Sequence, residues 1–392
     1  MIEQTARKDL TGTIFFSGGG TSGHIHPALA IATELRRQCP KLRIIFCGTS
    51  GGLEAKVVPQ AGFDFIPVKA APFPTRPSMR FFAACNEYRQ GRKECTSLIK
   101  QYSPLAVIGT GGYVCAPMLG AAHKLKVPYL VHEQNAYPGR SNRLTAYHAA
   151  AVCLGFAAAE RYFRTKGQIF VTGNPVRPEF FSLGTAVAKL GARRELELPL
   201  DRPIILISGG SLGARSLNLA ALEWAKQQDS VVTAEKAQTT TYKGPYIILA
   251  TGSRRYEAAK RMVQDWPDMP FLRIEPYLNN MPTYMAAADL IIGRAGAVTC
   301  AELAAMGKPS VLIPYPYAAG DHQTYNAQAL VHGGAALMYA DKDWNASTMQ
   351  EVLTDFVQNA SAWDERSTAA ESLANRPAAA EIVEIIFKTM LK

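Results

Sequence analysis

Along the 392 residues, short apolar runs alternate with segments whose apolar residues recur at helical spacing. That alternation argues for parallel α/β units, in which each strand is followed by a crossover helix. Strands are expected at Thr13–Phe16, Arg43–Cys47, Leu105–Ile108 and Tyr129–Val131. After the first of these, Ala28, Ile31, Ala32 and Leu35 form an i, i+3, i+4, i+7 stripe, and a helix is expected to open at Pro27, a residue suited to a first helical position. Around Asn174–Pro203 the pattern loosens into a charged stretch that reads as a linker and domain seam. A new apolar strand then begins at Ile204–Ile207, followed by Tyr246–Leu249, Phe271–Ile274, Leu290–Ile292 and Ser310–Ile313. Residues 227–246 are polar and irregular and read as a surface insertion. A last helix after Pro377 carries Ile382, Ile385, Ile386 and Met390, and could cap either domain.

The restart at Ile204 matters because it repeats a device. IFFSGGGTSG (14–23) and ILISGGSLG (205–213) are each a strand, a glycine turn and the start of a helix. A chain that opens both halves this way is expected to form two Rossmann-like domains whose parallel sheets face each other across a cleft. The expected divisions are 1–175, 176–375 and a terminal helix over 376–392 that packs back on the first domain.

Composition narrows the function classes. With 48% hydrophobic and 19% charged residues, the chain is no disordered protein. The longest uncharged stretch, Val107–Ala122, is broken by four glycines and Pro117, so no membrane span is expected, and the first residues do not read as a secretory signal. Seven cysteines without a CxxC pair read as small buried hydrophobes kept reduced. The formal charge of +10 suits an acidic partner such as a phosphorylated ligand, nucleic acid or an anionic membrane, or is a plain solvated excess.

Candidate chemistry gathers at loops that follow strands. Gly18-Gly19-Gly20-Thr21-Ser22-Gly23-His24 contains GxGxxG, where glycine lets the backbone approach a phosphate and the helix N-terminus offers N–H groups. A dinucleotide site also needs an acid at the end of the second strand, yet that strand runs into Cys47-Gly48-Thr49-Ser50 and the next acid is Glu54. His24, at the loop–helix junction, is placed to act as a general base. The second turn, Gly209–Gly213, is suited to a diphosphate, with the Ser211 hydroxyl available to it. His132-Glu133-Gln134-Asn135 brings four polar side chains to the end of an apolar strand, where they form either a ligand site or a self-bonded polar turn. Glu302 lies in a helix that begins in a small-residue loop, where a carboxylate is suited to vicinal ribose hydroxyls. Asp341-Lys342-Asp343 spells a metal-style DxD but reads as a solvated turn.

Together these segments resemble the MurG family of bacterial glycosyltransferases over nearly the whole chain. The resemblance rests on GGTSGHIHPALAIA (19–32), GTGGYVCAP (109–117), HEQNAYPGRSN (132–142), GNPVR (173–177), GGSLGAR (209–215), RAGAVTCAELAAMGKPSVLIPYP (294–316) and DHQTYNA (321–327). It implies the two-domain GT-B fold and inverting transfer of N-acetylglucosamine from UDP-GlcNAc to the C4 hydroxyl of the MurNAc unit of lipid I, giving lipid II. It implies His24 as the base, with Glu133 the runner-up, and Glu302 and Ser211 on the ribose and diphosphate. Leu278 and Ala297, Val298, Thr299 and Cys300 would line the uridine and phosphate pocket, and Gln323 would bond the sugar hydroxyls, with Arg177 and Asn135 nearby. Thr21, Ser22 and Gly23 would approach the donor from the first domain, with Gly20, Tyr113 and His132 on the acceptor side. No cofactor, metal or nucleic acid is implied. The chain departs from the family at Ser22 and Leu212, where a glycine and a glutamine are usual. The resemblance also implies a peripheral position on the cytoplasmic face of the bacterial inner membrane, with cell-wall and division proteins as candidate partners.

The stretch Pro72–Lys100 fits that last expectation. It carries Arg76, Arg80, Arg89, Arg92, Lys93 and Lys100 against Glu87 and Glu94, with Phe73, Met79, Phe81 and Phe82 among them. Apolar side chains ringed by cations suit reversible docking on anionic lipid, whereas aromatics belonging to the core would not. Three other readings stay open: a GT-B transferase of another nucleotide-sugar to a different lipid, a noncatalytic nucleotide-sugar-binding subunit, and an NAD-dependent oxidoreductase.

Overall fold

The computed structural model describes residues 7–72, 79–236, 244–267, 269–375 and 377–391. The chain divides into two compact units, Met1–Val176 with Asn375–Lys392, and Arg177–Ala374. The first unit holds β1 (Gly12–Gly18), β2 (Leu42–Gly48), β3 (Asp64–Pro67), β4 (Ala106–Gly111), β5 (Tyr129–Glu133), β6 (Ala151–Leu154) and β7 (Gln168–Val171). They form a seven-stranded parallel sheet in the order β3-β2-β1-β4-β5-β6-β7. Both faces are covered, which is why β1 reads as continuous apolar residues rather than alternating ones. Ile14 and Phe16 join one core with Ala28, Ile31 and Leu35 of the helix Ser22–Gln38. Phe15 joins the other with Ile99, Cys115 and Met118, from the helices Met79–Tyr102 and Cys115–Lys124.

The second unit repeats the plan with β8 (Ile204–Ser208), β9 (Tyr246–Ala250), β10 (Leu272–Glu275), β11 (Leu290–Gly293), β12 (Ser310–Leu312) and β13 (Ala336–Met338). The order is β10-β9-β8-β11-β12-β13, all pairs parallel. On one face Trp224, Phe271 and Trp363 are buried in a common core.

Several expectations change. The first crossover helix opens at Ser22, so Pro27 lies inside it and lacks the N–H that would bond the carbonyl four residues back. The seam around Asn174–Pro203 contains helices Pro178–Ser182 and Ala186–Glu195, the second capped by Thr185, whose hydroxyl accepts from the Ala188 N–H at 3.1 Å. Much of the expected surface insertion is helix, because Arg215–Lys236 continues past the buried stripe of Leu217, Ala221 and Trp224. Residues 237–243 lie outside the described residues.

The helix Ala378–Met390 belongs to the first unit, where Ile382, Ile385 and Ile386 are buried in the core around β1 and Arg7 pairs with Glu384. Truncating a fully buried isoleucine removes transfer free energy and leaves a cavity. Ile386→Ala should therefore destabilise the first unit by about 2–5 kcal/mol in urea unfolding. A change below about 0.5 kcal/mol, the scale of a surface substitution, would show that this helix is not part of that core.

Candidate active site

In the first unit the helix after β1 lies on one face of the sheet and the helix after β4 on the other. Between two adjacent strands whose crossovers diverge in this way, the loops leave a crevice for a ligand. Backbone runs against backbone there: the Gly19 N–H donates to the Gly111 carbonyl at 3.3 Å. Gly112 has a φ of 84°, and a Cβ on it would collide with the Gly19 carbonyl oxygen, so only glycine suits the position. The Tyr113 ring edge lies beside Gly20. Thr21 and Ser22 are exposed at the helix N-terminus, which places the departing Ser22 hydroxyl in solvent, and Gly23 is half-buried.

Glu54 has a structural task. It is buried, accepts from the Gly20 N–H at 3.2 Å, and from the Thr49 N–H and hydroxyl at 3.0 and 2.7 Å. It braces the glycine turn from behind and cannot read a dinucleotide ribose.

His24 is half-buried. The Thr110 hydroxyl donates to its carbonyl at 2.8 Å, and its Nδ1 meets Gln134 Oε1 at 2.9 Å. Among the described residues Nε2 has no hydrogen-bond partner, so His24 is the ring with a nitrogen left for chemistry. Glu133 and His132, by contrast, are both buried. Glu133 is buried, and its two oxygens accept from the N–H groups of Asn135 and Gly139 and the amides of Asn135 and Asn142 at 2.9–3.0 Å. With both oxygens so engaged it braces the 133–142 loop. His132 is fully buried, and desolvation pushes its pKa down to about 4, so it stays neutral. Asn135 is half-buried.

The second unit builds its loops by the same means. Gly213 has a φ of 72°, and a Cβ on it would strike the Thr251 carbonyl oxygen, so the turns after β8 and β9 touch through bare backbone. The Gly213 N–H closes the turn on the Gly210 carbonyl at 2.9 Å. Ser211 and Leu212 are exposed, so an apolar side chain stands at the turn. Gly296 is the N-cap of the helix Ala297–Ala305, and it supplies no capping oxygen at an end suited to an anion. Val298 and Thr299 are half-buried there, while Ala297, Cys300 and Leu278 are buried. The Arg294 guanidinium anchors that loop, donating to the Ile313 and Pro314 carbonyls at 3.0 and 3.1 Å and pairing with Asp341 at 2.6 Å. Asp341 also accepts from the Ser216 hydroxyl at 2.5 Å, so the DxD turn holds this loop instead of being merely solvated.

Burial pushes the Glu302 carboxyl up to about 7, against the pull of the Arg177 guanidinium. Arg177 itself is exposed and lies over the Phe180 ring at 5.1 Å. The Gln323 Oε1 accepts from the Tyr315 N–H at 2.9 Å, which fixes its amide and presents the NH₂ as donor.

Phe73 and Arg76 lie outside the described residues, and Arg80 is known only as part of the helix Met79–Tyr102. Phe81 and Phe82 are 41% and 69% exposed, and Arg89 is exposed, so these aromatics are not core. No helix among the described residues is long and apolar enough to cross a membrane. Sequence reasoning gave Thr110 and Glu54 no part in the site and did not single out Gln134 within HEQN, because no spacing rule says which member of that tetrad faces the histidine.

Comparisons with known proteins agree over the whole length. The glycosyltransferase family 28 N-terminal domain matches residues 14–154 and the family 28 C-terminal domain residues 204–383. A protein of Acetivibrio thermocellus is 39% identical over 95% of this chain and 97% of its own length. One of Bacillus cytotoxicus is 35% identical over 97% of this chain and 100% of its own. Both are named UDP-N-acetylglucosamine–N-acetylmuramyl-(pentapeptide) pyrophosphoryl-undecaprenol N-acetylglucosamine transferase. The crystal structure of Acinetobacter baumannii MurG superposes with a TM-score of 0.73 at 28% identity, covering 96% of this chain and 99% of that one.

The raised Glu302 pKa has a consequence for stability. The folded state holds this proton more tightly than the unfolded chain, whose carboxyl titrates at 4.5, so its contribution is full below 4.5 and lost as pH rises through about 7. Glu302→Gln removes the titration, so its stability relative to the parent should rise by about 3 kcal/mol between pH 4.5 and pH 8. Urea unfolding at both pH values measures this, and a constant difference would contradict it.

Proposed function

The chain belongs to glycosyltransferase family 28, among the N-acetylglucosamine transferases named above, and from that premise we propose how its own residues perform the transfer. The enzyme moves N-acetylglucosamine from UDP-GlcNAc to the undecaprenyl-pyrophosphoryl-MurNAc-pentapeptide, giving lipid II for peptidoglycan. His24 Nε2 takes the proton of the MurNAc C4 hydroxyl as the oxygen attacks the anomeric carbon. The bond from that carbon to the diphosphate oxygen breaks, UDP leaves with the electron pair, and the anomeric centre inverts. The observation that carries this reading is the bare Nε2 of His24 at the glycine-walled end of β1.

The second unit supplies the donor contacts. The Gly209–Gly213 turn, the Ser211 hydroxyl and the N-terminus of the helix Ala297–Ala305 hold the diphosphate and take up the charge that grows on it. Glu302 accepts from the ribose hydroxyls, with Leu278 and Ala297–Cys300 around the uridine and Arg177 beside the carboxylate. The Gln323 NH₂ donates to the sugar. In the first unit Thr21–Gly23 and Asn135 serve the donor, and Gly20 and Tyr113 the acceptor. The oxidoreductase alternative fails on Glu54, whose carboxylate is consumed by its own loop.

A UDP-release assay with a lipid I analogue tests the reading. His24→Ala should keep donor binding and lower turnover roughly 10²- to 10⁴-fold. Near-normal turnover would place the base elsewhere. Glu302→Ala should instead raise the donor KM by about 10- to 150-fold, the worth of a hydrogen bond to a charged group. An unchanged KM would remove Glu302 from the nucleotide site.

Reaching a lipid-linked acceptor calls for a membrane face, and the exposed Phe81 and Phe82 with Arg89 supply one on the first unit, at the cytoplasmic side of the inner membrane. Phe82→Ser with Arg89→Glu should weaken sedimentation with anionic vesicles at low salt while sparing activity on a short, water-soluble acceptor. Equal sedimentation of variant and parent would rule this face out.

A further inference from the structure

We propose that Gln134 is a positioning residue that fixes the tautomer of His24, holding the proton on Nδ1 so that Nε2 faces the acceptor bare. The proposal rests on the reading of His24 as the base. Gln134 is buried at the end of β5, and its side chain meets two imidazoles and two backbone carbonyls, those of Thr110 and, at 3.2 Å, His132. Its Nε2 donates to the Thr110 carbonyl at 2.8 Å and lies 2.8 Å from His132 Nδ1. Its Oε1 lies 2.9 Å from His24 Nδ1.

A carbonyl oxygen only accepts, and this decides the orientation of every group in the chain. If the Gln134 amide were reversed, its oxygen would face the Thr110 carbonyl with no proton between them. The NH₂ end therefore points at Thr110, and its second proton lies between His132 Nδ1 and the longer-held His132 carbonyl; an Nδ1 that faces an NH₂ at 2.8 Å must itself be unprotonated. His132 then carries its proton on Nε2, toward the Gly173 carbonyl at a long 3.5 Å. Burial of His132, which holds its pKa near 4, keeps this ring neutral. At the other end Gln134 presents only an oxygen to His24, so the Nδ1 of His24 must bring the proton. In water the Nε2–H tautomer of a neutral histidine is the commoner one, so the tautomer with a free Nε2 has to be imposed.

Thr110 ties the two ends together. Its carbonyl holds Gln134 while its hydroxyl holds the His24 backbone at 2.8 Å, so ring position and ring tautomer are set from one residue of β4. An amide in this place differs from a carboxylate. It orients the imidazole by accepting from Nδ1 and brings no charge of its own to the ring. The proton it collects has no onward path through Gln134 and must leave from Nε2.

The test is nitrogen NMR of histidine-labelled protein in the range where His24 is neutral, its signals identified by their loss in His24→Ala. The parent should show His24 protonated at Nδ1 and bare at Nε2, and protonation at Nε2 in the parent would overturn the proposal. Gln134→Met, of similar length, should move His24 toward the Nε2–H form and lower kcat roughly 10- to 100-fold, the range for outer-shell partners of functional histidines, with KM little changed. If that variant folds and keeps both the parent tautomer and the parent kcat, the proposal fails. If it does not fold, the parent spectrum decides alone. In the His24→Ala background, Gln134→Met should cost nothing further, because it acts only through that ring. An equal additional loss there would show that Gln134 acts elsewhere and overturn the proposal. Full turnover by His24→Ala would instead sink the reading of His24 as the base, and the parent spectrum would still report whether Gln134 governs the ring.

Discussion

The approach of two bare backbones at the ends of β1 and β4 is the constraint from which the first unit's site follows. Gly112, at a positive φ, lies where any side chain would strike the Gly19 carbonyl. That contact brings the loop of His24 against the loop of Thr110, and Thr110 then holds the His24 backbone and the Gln134 side chain together. The second unit uses the same solution where Gly213 meets the Thr251 carbonyl, leaving Ser211 on an exposed turn. Parallel sheets supply the crevices, and glycine makes them narrow enough for backbone N–H groups to line them.

Within that frame the polar groups divide into those that hold the site and those left for chemistry. Glu54, Glu133 and Asp341 are each engaged by two or more donors and brace the turns after β1, β5 and β11. Carboxylates held this way make loops rigid, and rigid loops present His24 without reorganisation when the reaction begins. Among the described residues, His24 Nε2, the Gln323 NH₂ and the exposed Ser211 hydroxyl keep hydrogen-bonding capacity that is not spent inside the fold.

The sequence made the fold class and both glycine turns legible, because long apolar strands and strand–glycine–helix restarts carry strong periodic signals. It did not reveal β3, β6, β7 and β13; length does not set them apart, since β10, β11 and β12 are as short and were expected, but β3 and β7 have exposed ends that break their apolar run. The helical turn before Pro27 was hidden by the rule that proline favours a first position. His24, Glu302 and Gln323 could be named from motifs. The burial of His132 and the full engagement of Glu133 could not, since a polar tetrad after a strand reads alike whether it faces a ligand or itself. Only the directions of the hydrogen bonds separate His24 from its neighbours, and those are tertiary facts.

The proposed reaction is a single displacement at the anomeric carbon, driven by one base with no protein nucleophile. The most direct measurement is the stereochemistry of the product formed from UDP-GlcNAc and a lipid I analogue, read from the anomeric proton coupling and the linkage position. The donor's anomeric bond is α, so the account predicts a β linkage to the C4 hydroxyl, with one UDP released per bond formed. An α-linked product would contradict it, because a single in-line displacement inverts the anomeric centre.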